Sequence, residues 1–170
     1  MIKIIGAVGE IKNIETFLKN INNFSKKHNV LIQTFDANVI FGKNHILSAV
    51  AHAQRAIDRK TNTTNSLEME ILLYSSGERQ LKLAIPKMGV KKGKTKIAVV
   101  FLEEKKVNLS NQEINEFLNL VSLNRNDKVL EGDKNTLRLF GIDDNEIETV
   151  TKEKYGNLIL EKVAMVDILK

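Results

Sequence analysis

IAVVFL, residues 97–102, is the stretch that decides the fold: six apolar residues in a row make it the least ambiguous strand in the chain. It follows KKGKTK at 91–96, a lysine-rich loop. Two further β-branched runs stand upstream, MIKIIGAV at 1–8 and VLIQTFDANVIF at 30–41, the second ending at Gly42. Between them, Ile14, Phe17, Leu18, Ile21 and Phe24 recur at helical spacing, so residues 14–27 read as an amphipathic helix. Strands and helices mix here without the regular alternation of a doubly wound sheet. The expectation is an α+β fold in a single domain over 1–170, with a small mixed or antiparallel sheet built from the three runs and several helices packed on it.

The other helices announce themselves through caps and glycines. Residues 44–60 form a long helical pattern and TNTTNS at 61–66 a polar loop. Asn65 stands three residues before Glu68, a capping-box spacing that opens LEMEILLYSS, and Gly77 closes it. ERQLKLAIPKMG is a shorter helix stopped by Gly89. Ser110 with Glu113 is a second capping box, for a helix through Val121. Residues 127–135 are turn-like with a short strand at 129–130, and 136–141 and 143–150 are helical turns. The closing helix, 155–170, is apolar almost all round, which requires burial on most sides or an extra face that meets a partner.

Composition narrows the chemistry. The 170 residues carry 26 Lys and Arg against 21 Asp and Glu, a net charge of +5, with no cysteine and three histidines. Disulfides, thiolate metal sites and cysteine nucleophiles are excluded. The apolar runs are too short to span a bilayer, and MIKIIGAVGE runs straight into a strand pattern rather than a secretory signal, so a cytoplasmic protein is expected. The charge is uneven. Residues 43–96 hold eleven basic and four acidic residues, an excess of +7, and the remainder is −2. A basic window attracts polyanions, although on charge alone a solvated lysine-rich surface is the slightly favoured reading.

On the helix at 44–60, Ile46, Val50, Ala53 and Ile57 share the core-facing arc. His45, Ser48, His52, Arg55 and Arg59 share the opposite one, read as a solvent-facing stripe. Only five arginines exist in the chain, and three of them (Arg55, Arg59, Arg79) lie in the basic window. Arginine offers phosphate a planar donor fork where lysine offers a point charge. An ordinary solvated face, with Asp58 and Glu70 as ion-pair partners, is the competing reading. His45 and His52 lie roughly 10 Å apart by helical rise, too far to chelate one ion, so neither a metal nor a cofactor is expected. Enzyme signatures are missing. Gly93–Lys94–Thr95 has the tail of a phosphate loop, but Met88 stands where its first glycine belongs. No nucleophile elbow occurs, and Glu68 and Glu70 point different ways.

HILSAVAHAQRAIDRK followed by NSLEMEILLYSSGERQLKLAIPKMGV resembles the central signature of the small kinase-binding subunit family of the KEOPS complex, the TPRKB-like family. The resemblance lies in Ala49, Ala51 and Ala53, in Glu70–Ile71–Leu72, in the turn from Ser76 through Gly77, Arg79 and Gln80 to Leu81, and in Gly89–Val90. LFGID and LEKVAMVDIL near the end are similar to the family too. Leu81 stands where isoleucine is more usual, and Pro86 interrupts a helix that commonly continues. Lys- and Asn-rich, Arg-poor usage suits an AT-rich genome, and the absence of cysteine suits an archaeal source only weakly. The resemblance implies a non-enzymatic subunit that docks on the complex's atypical kinase/ATPase. It also implies that the subunit recruits tRNA, through its 3′ CCA end, for N6-threonylcarbamoyl-adenosine formation, with no small-molecule substrate and no membrane. Charge clustering assigns Arg55, Arg59, Arg79, Lys82, Lys91, Lys92 and Lys94 to tRNA, by phosphate contact. Exposed members of the last helix, Leu158, Ile159 and Val163, are assigned to the kinase. With only nine aromatics, stacking on bases has little to draw on. A protein-binding adaptor with no RNA contact is the alternative. An RNA-directed enzyme would instead need His45 or His52 to converge on a carboxylate.

Overall fold

The structure is a computed structural model and describes residues 1–103 and 108–169. Four strands run in the order β1 (Ile2–Ile11), β2 (Val30–Asp36), β3 (Gly93–Glu103) and β4 (Leu123–Arg125). The helices among the described residues are α1 (Ile14–His28), α2 (Gly42–Asp58), α3 (Leu67–Ser76), α4 (Leu81–Met88), α5 (Asn111–Leu120), α6 (Lys134–Phe140), α7 (Asp144–Glu148) and α8 (Tyr155–Leu169). The fold class is α+β, as expected. The chain divides into two compact units, each made of two stretches: Met1–Ala37 with Val90–Val129, and Asn38–Gly89 with Leu130–Lys170.

The first unit holds the sheet, ordered β2-β3-β1-β4 and antiparallel throughout. All six residues of IAVVFL are buried on its long central strand, which begins earlier than the apolar run, at Gly93. Lys94 and Lys96 therefore belong to a strand, not to the loop expected at 91–96. Ile97, Val99 and Phe101 face a core shared with Ile5, Ala7 and Ile11 of β1 and with Phe17, Ile21 and Phe24 of α1. Phe117 of α5 closes it with its ring edge-on to Phe101 at 5.1 Å and Phe24 at 5.3 Å. Edge contacts of this kind add about 0.5–1.5 kcal/mol each beyond the area buried.

Local chemistry sets the boundaries. Asn13 accepts the Thr16 N–H at 2.9 Å to start α1, and Asn29, at φ 50, ends it in the left-handed region. The Ser110–Glu113 capping box forms as the spacing predicts. For α3 the cap is Ser66, not Asn65: Ser66 Oγ accepts the Met69 N–H at 3.3 Å. β2 stops at Asp36 instead of continuing to residue 41, because Asp-Ala-Asn disfavours strand and turns into a 3-10 segment, Ala37–Val39.

The expected strand at 129–130 is instead part of a 3-10 turn, Asp127–Leu130, and the fourth strand lies just before it. Gly6 and Gly9 are what let it in. A Cβ at Gly6 would lie 2.5 Å from the Asn126 carbonyl oxygen, and one at Gly9 2.7 Å from Leu123. Gly6 also exchanges backbone and side-chain bonds with that segment: Asn126 N–H donates to its carbonyl and Asp127 accepts its N–H, both at 2.9 Å. Glycine inside a strand marks such a close approach. Gly6→Ala is expected to destabilise the protein by about 1–3 kcal/mol, read as a lower urea midpoint with unchanged m-value.

The second unit is helical and centres on α3. From Glu70 to Ser76 every residue of α3 is buried, with α2, α4 and α8 packed against it. Gly77, at φ 69, ends it where the sequence predicts. Helix α8 is not buried all round. Leu158, Ile159, Val163 and Val166 make its inner face, while Met165, Ile168 and Leu169 are exposed. Lys170, included in the expected closing helix, lies outside the described residues.

Candidate functional site

Arg55, on α2, and Arg59, its C-terminal cap, are one turn apart and both exposed, as their spacing requires. They border a cleft of about 590 Å³ whose other walls are Ala56, Thr61, Thr63 and Asp167. Thr63 and its neighbour Thr64 are held in place by a buried carboxylate. Glu70, fully buried, accepts the Thr63 and Thr64 N–H groups at 3.2 and 2.9 Å and the Thr64 hydroxyl at 2.8 Å. A carboxylate this deep requires such donors.

His52, half-buried on α2, stacks on Tyr74 of α3 at 5.4 Å between centroids. Its Nδ1 lies 2.8 Å from Asp167 Oδ2 on α8 and 3.1 Å from an Arg55 nitrogen. The Tyr74 hydroxyl donates to the other Asp167 oxygen. Burial, and then that carboxylate, push the Tyr74 phenol well above its ordinary 10.0. Arg79 is exposed on the turn before α4, its guanidinium 3.5 Å from the Leu169 carbonyl oxygen, and Lys82 is exposed on α4. Lys87 adds little to this charged surface. It is half-buried, 3.3 Å from Glu78 and 3.8 Å above the Phe140 ring, and burial lowers its pKa.

Lys91, Lys92 and Lys94 belong to the sheet unit. All three are exposed, Lys91 lies 3.5 Å from Asp36, and Lys94 stands opposite Glu10 in the β1–β3 register. The seven assigned cations thus fall into two groups on different units, four and three.

Three sequence expectations need correction. His45 is not on a solvent stripe. It is 1 % exposed, its Nδ1 accepting the Phe41 N–H at 3.1 Å and its Nε2 donating to the Ser75 carbonyl at 2.8 Å. Both ring nitrogens are satisfied by backbone, so the imidazole ties α2 to α3. Ile57, placed on the core arc, is half-buried, and Ala49 and Ala56 are buried in its stead. Leu158, Ile159 and Val163 are all buried, which removes the exposure on which their assignment to a partner rested. The apolar side chains that α8 offers outward are Met165, Leu169 and, at 74 % exposure, Ile168. Sequence periodicity did not single them out, since apolar residues occupy every side of that helix.

No three His, Asp or Glu side chains gather to hold a metal ion among the described residues, and none of the described helices is long and apolar enough to cross a membrane. What the elements present is surface: guanidinium, ammonium and apolar groups on an α+β scaffold. Comparison with known proteins agrees with that class and sharpens it. The chain belongs to the family described as kinase binding protein CGI-121, whose model matches residues 8–167. It is also 28 % identical over 154 residues to the regulatory protein Cgi121 of Methanocaldococcus jannaschii, covering 88 % of this chain and 92 % of that one.

Burial, opposed in part by the bond to Ser75 and reinforced by Lys87, lowers His45 from its ordinary 6.5 to about 4. Between those values the unfolded chain binds a proton that the folded chain refuses. Stability is therefore full above pH 6.5 and falls as the pH drops toward 4, by roughly 3 kcal/mol from this group. Urea midpoints from pH 7 to pH 4 are expected to show that decline, and His45→Gln to flatten it.

Proposed function

We propose that this chain is a non-enzymatic regulatory subunit of a KEOPS-type complex, binding the complex's atypical kinase/ATPase and presenting tRNA for N6-threonylcarbamoyl-adenosine formation in the cytoplasm. The observation that carries the reading is the family match over residues 8–167. The name of the M. jannaschii relative, a regulatory protein, supports the non-catalytic part. Support for tRNA contact comes from Arg55 and Arg59 at one cleft, with Arg79 and Lys82 exposed on the same unit and Lys91, Lys92 and Lys94 exposed on the other. Paired guanidiniums suit phosphate, and each phosphate contact makes affinity fall steeply with salt. The kinase is assigned to the exposed end of α8, at Met165, Ile168 and Leu169.

An adaptor without RNA contact is the second reading. The ion pair of Lys91 with Asp36 and the register position of Lys94 opposite Glu10 favour it for the sheet unit. Gel shift of the purified chain against tRNA with and without its CCA end separates the two. Reversing charge at Arg55 and Arg79 together is expected to weaken tRNA binding by about tenfold or more at physiological salt, with kinase pull-down intact. Ile168→Asp is expected to do the opposite. Unchanged tRNA affinity in the double reversal would leave the adaptor reading standing.

A further inference from the structure

The two contacts of His52 Nδ1 exclude one another. Asp167 Oδ2, at 2.8 Å, only accepts; the Arg55 guanidinium, at 3.1 Å, only donates. With a proton on Nδ1, the imidazole bonds to Asp167 and offers Arg55 nothing. With a lone pair on Nδ1, it takes Arg55 and sets that lone pair against a carboxylate oxygen. The Tyr74 hydroxyl already fastens the other oxygen of Asp167, and the ring stack on Tyr74 fixes the imidazole plane, so neither partner turns away easily. The shorter contact is the one to the carboxylate, and a proton on Nδ1 is the arrangement that serves it.

We propose that Asp167 and His52 are positioning residues for Arg55: by holding the Nδ1 proton, Asp167 denies Arg55 an acceptor on its own helix and leaves the guanidinium to a phosphate group entering the cleft beside Arg59. This rests on the reading in which that cleft takes tRNA. It makes a prediction opposite in sign to simple electrostatics. Asp167 lines the cleft, so removing its charge ought to tighten binding of a polyanion. If it positions Arg55, Asp167→Leu weakens binding instead, because a side chain with no polar atom leaves Nδ1 free to accept from Arg55.

The experiment measures tRNA affinity at fixed salt for the full chain, for Asp167→Leu, Arg55→Ala, His52→Phe and the Asp167→Leu/His52→Phe pair, with melting temperature checking each fold. Expected are a loss of about threefold or more in Asp167→Leu and no further loss when His52 is already Phe. Equal or tighter binding by Asp167→Leu, while Arg55→Ala binds weakly, overturns the positioning role and spares the cleft. Full affinity in Arg55→Ala removes both. If Asp167→Leu does not fold, the imidazole nitrogen NMR spectrum of the unaltered protein decides: a protonated His52 Nδ1 supports the proposal, and a bare one overturns it.

Discussion

A helix without a polar face has to be enclosed by other helices, and α3 is that helix. Its burial from Glu70 to Ser76 obliges α2, α4 and α8 to surround it. It also carries polar atoms into the interior, each of which needs a partner there. Ser75 and Ser76 return their hydroxyls to the Leu72 and Leu73 carbonyls. The Ser75 carbonyl takes His45 of α2, Tyr74 takes Asp167 of α8, and Glu70 gathers the 63–64 backbone. These bonds fix the elements from which Arg55, Arg59 and Arg79 project. The candidate site is a by-product of satisfying one buried helix.

The sheet unit obeys a simpler constraint. β3 is apolar over six consecutive residues, so it takes the centre of the sheet, and α1 and α5 cover it with Phe24 and Phe117, edge-on to each other, Phe117 also edge-on to Phe101. The lysines assigned to tRNA in this unit, with Lys96, sit just before the apolar run begins. Lys94 and Lys96 extend β3 past its last pairing with β2, at Ile97, and lysines along an unpaired edge also discourage pairing with other chains.

Much of this was legible in the residues. The three main strands, α1, the Ser110–Glu113 box and the Gly77 stop follow from periodicity and cap chemistry, which are local. What escaped was decided by contacts. β4 is three residues long with two exposed, and its only signal was indirect, in the glycines of β1 opposite it. His45 reads as surface because a helical wheel ranks residues by polarity, and it is core because two backbone groups satisfy it. On α8 an all-round apolar pattern contains no information about which side faces water. Of the candidate site, Arg55 and Arg59 were visible from spacing, whereas Asp167, more than a hundred residues away in sequence, was not. The basic window likewise spans both units, so charge counted along the chain overstates what any one face carries.

The interleaving of the two units bears on how the chain is made. β1 pairs with β3 across a long separation, Ile5 against Val99, and α3 waits for α8 to complete its enclosure. During synthesis β1 therefore emerges, unpaired, well before β3, and α3 well before α8. Biogenesis, more than equilibrium stability, is where this architecture is exposed: a chain stalled before β3 and α5 has neither half finished.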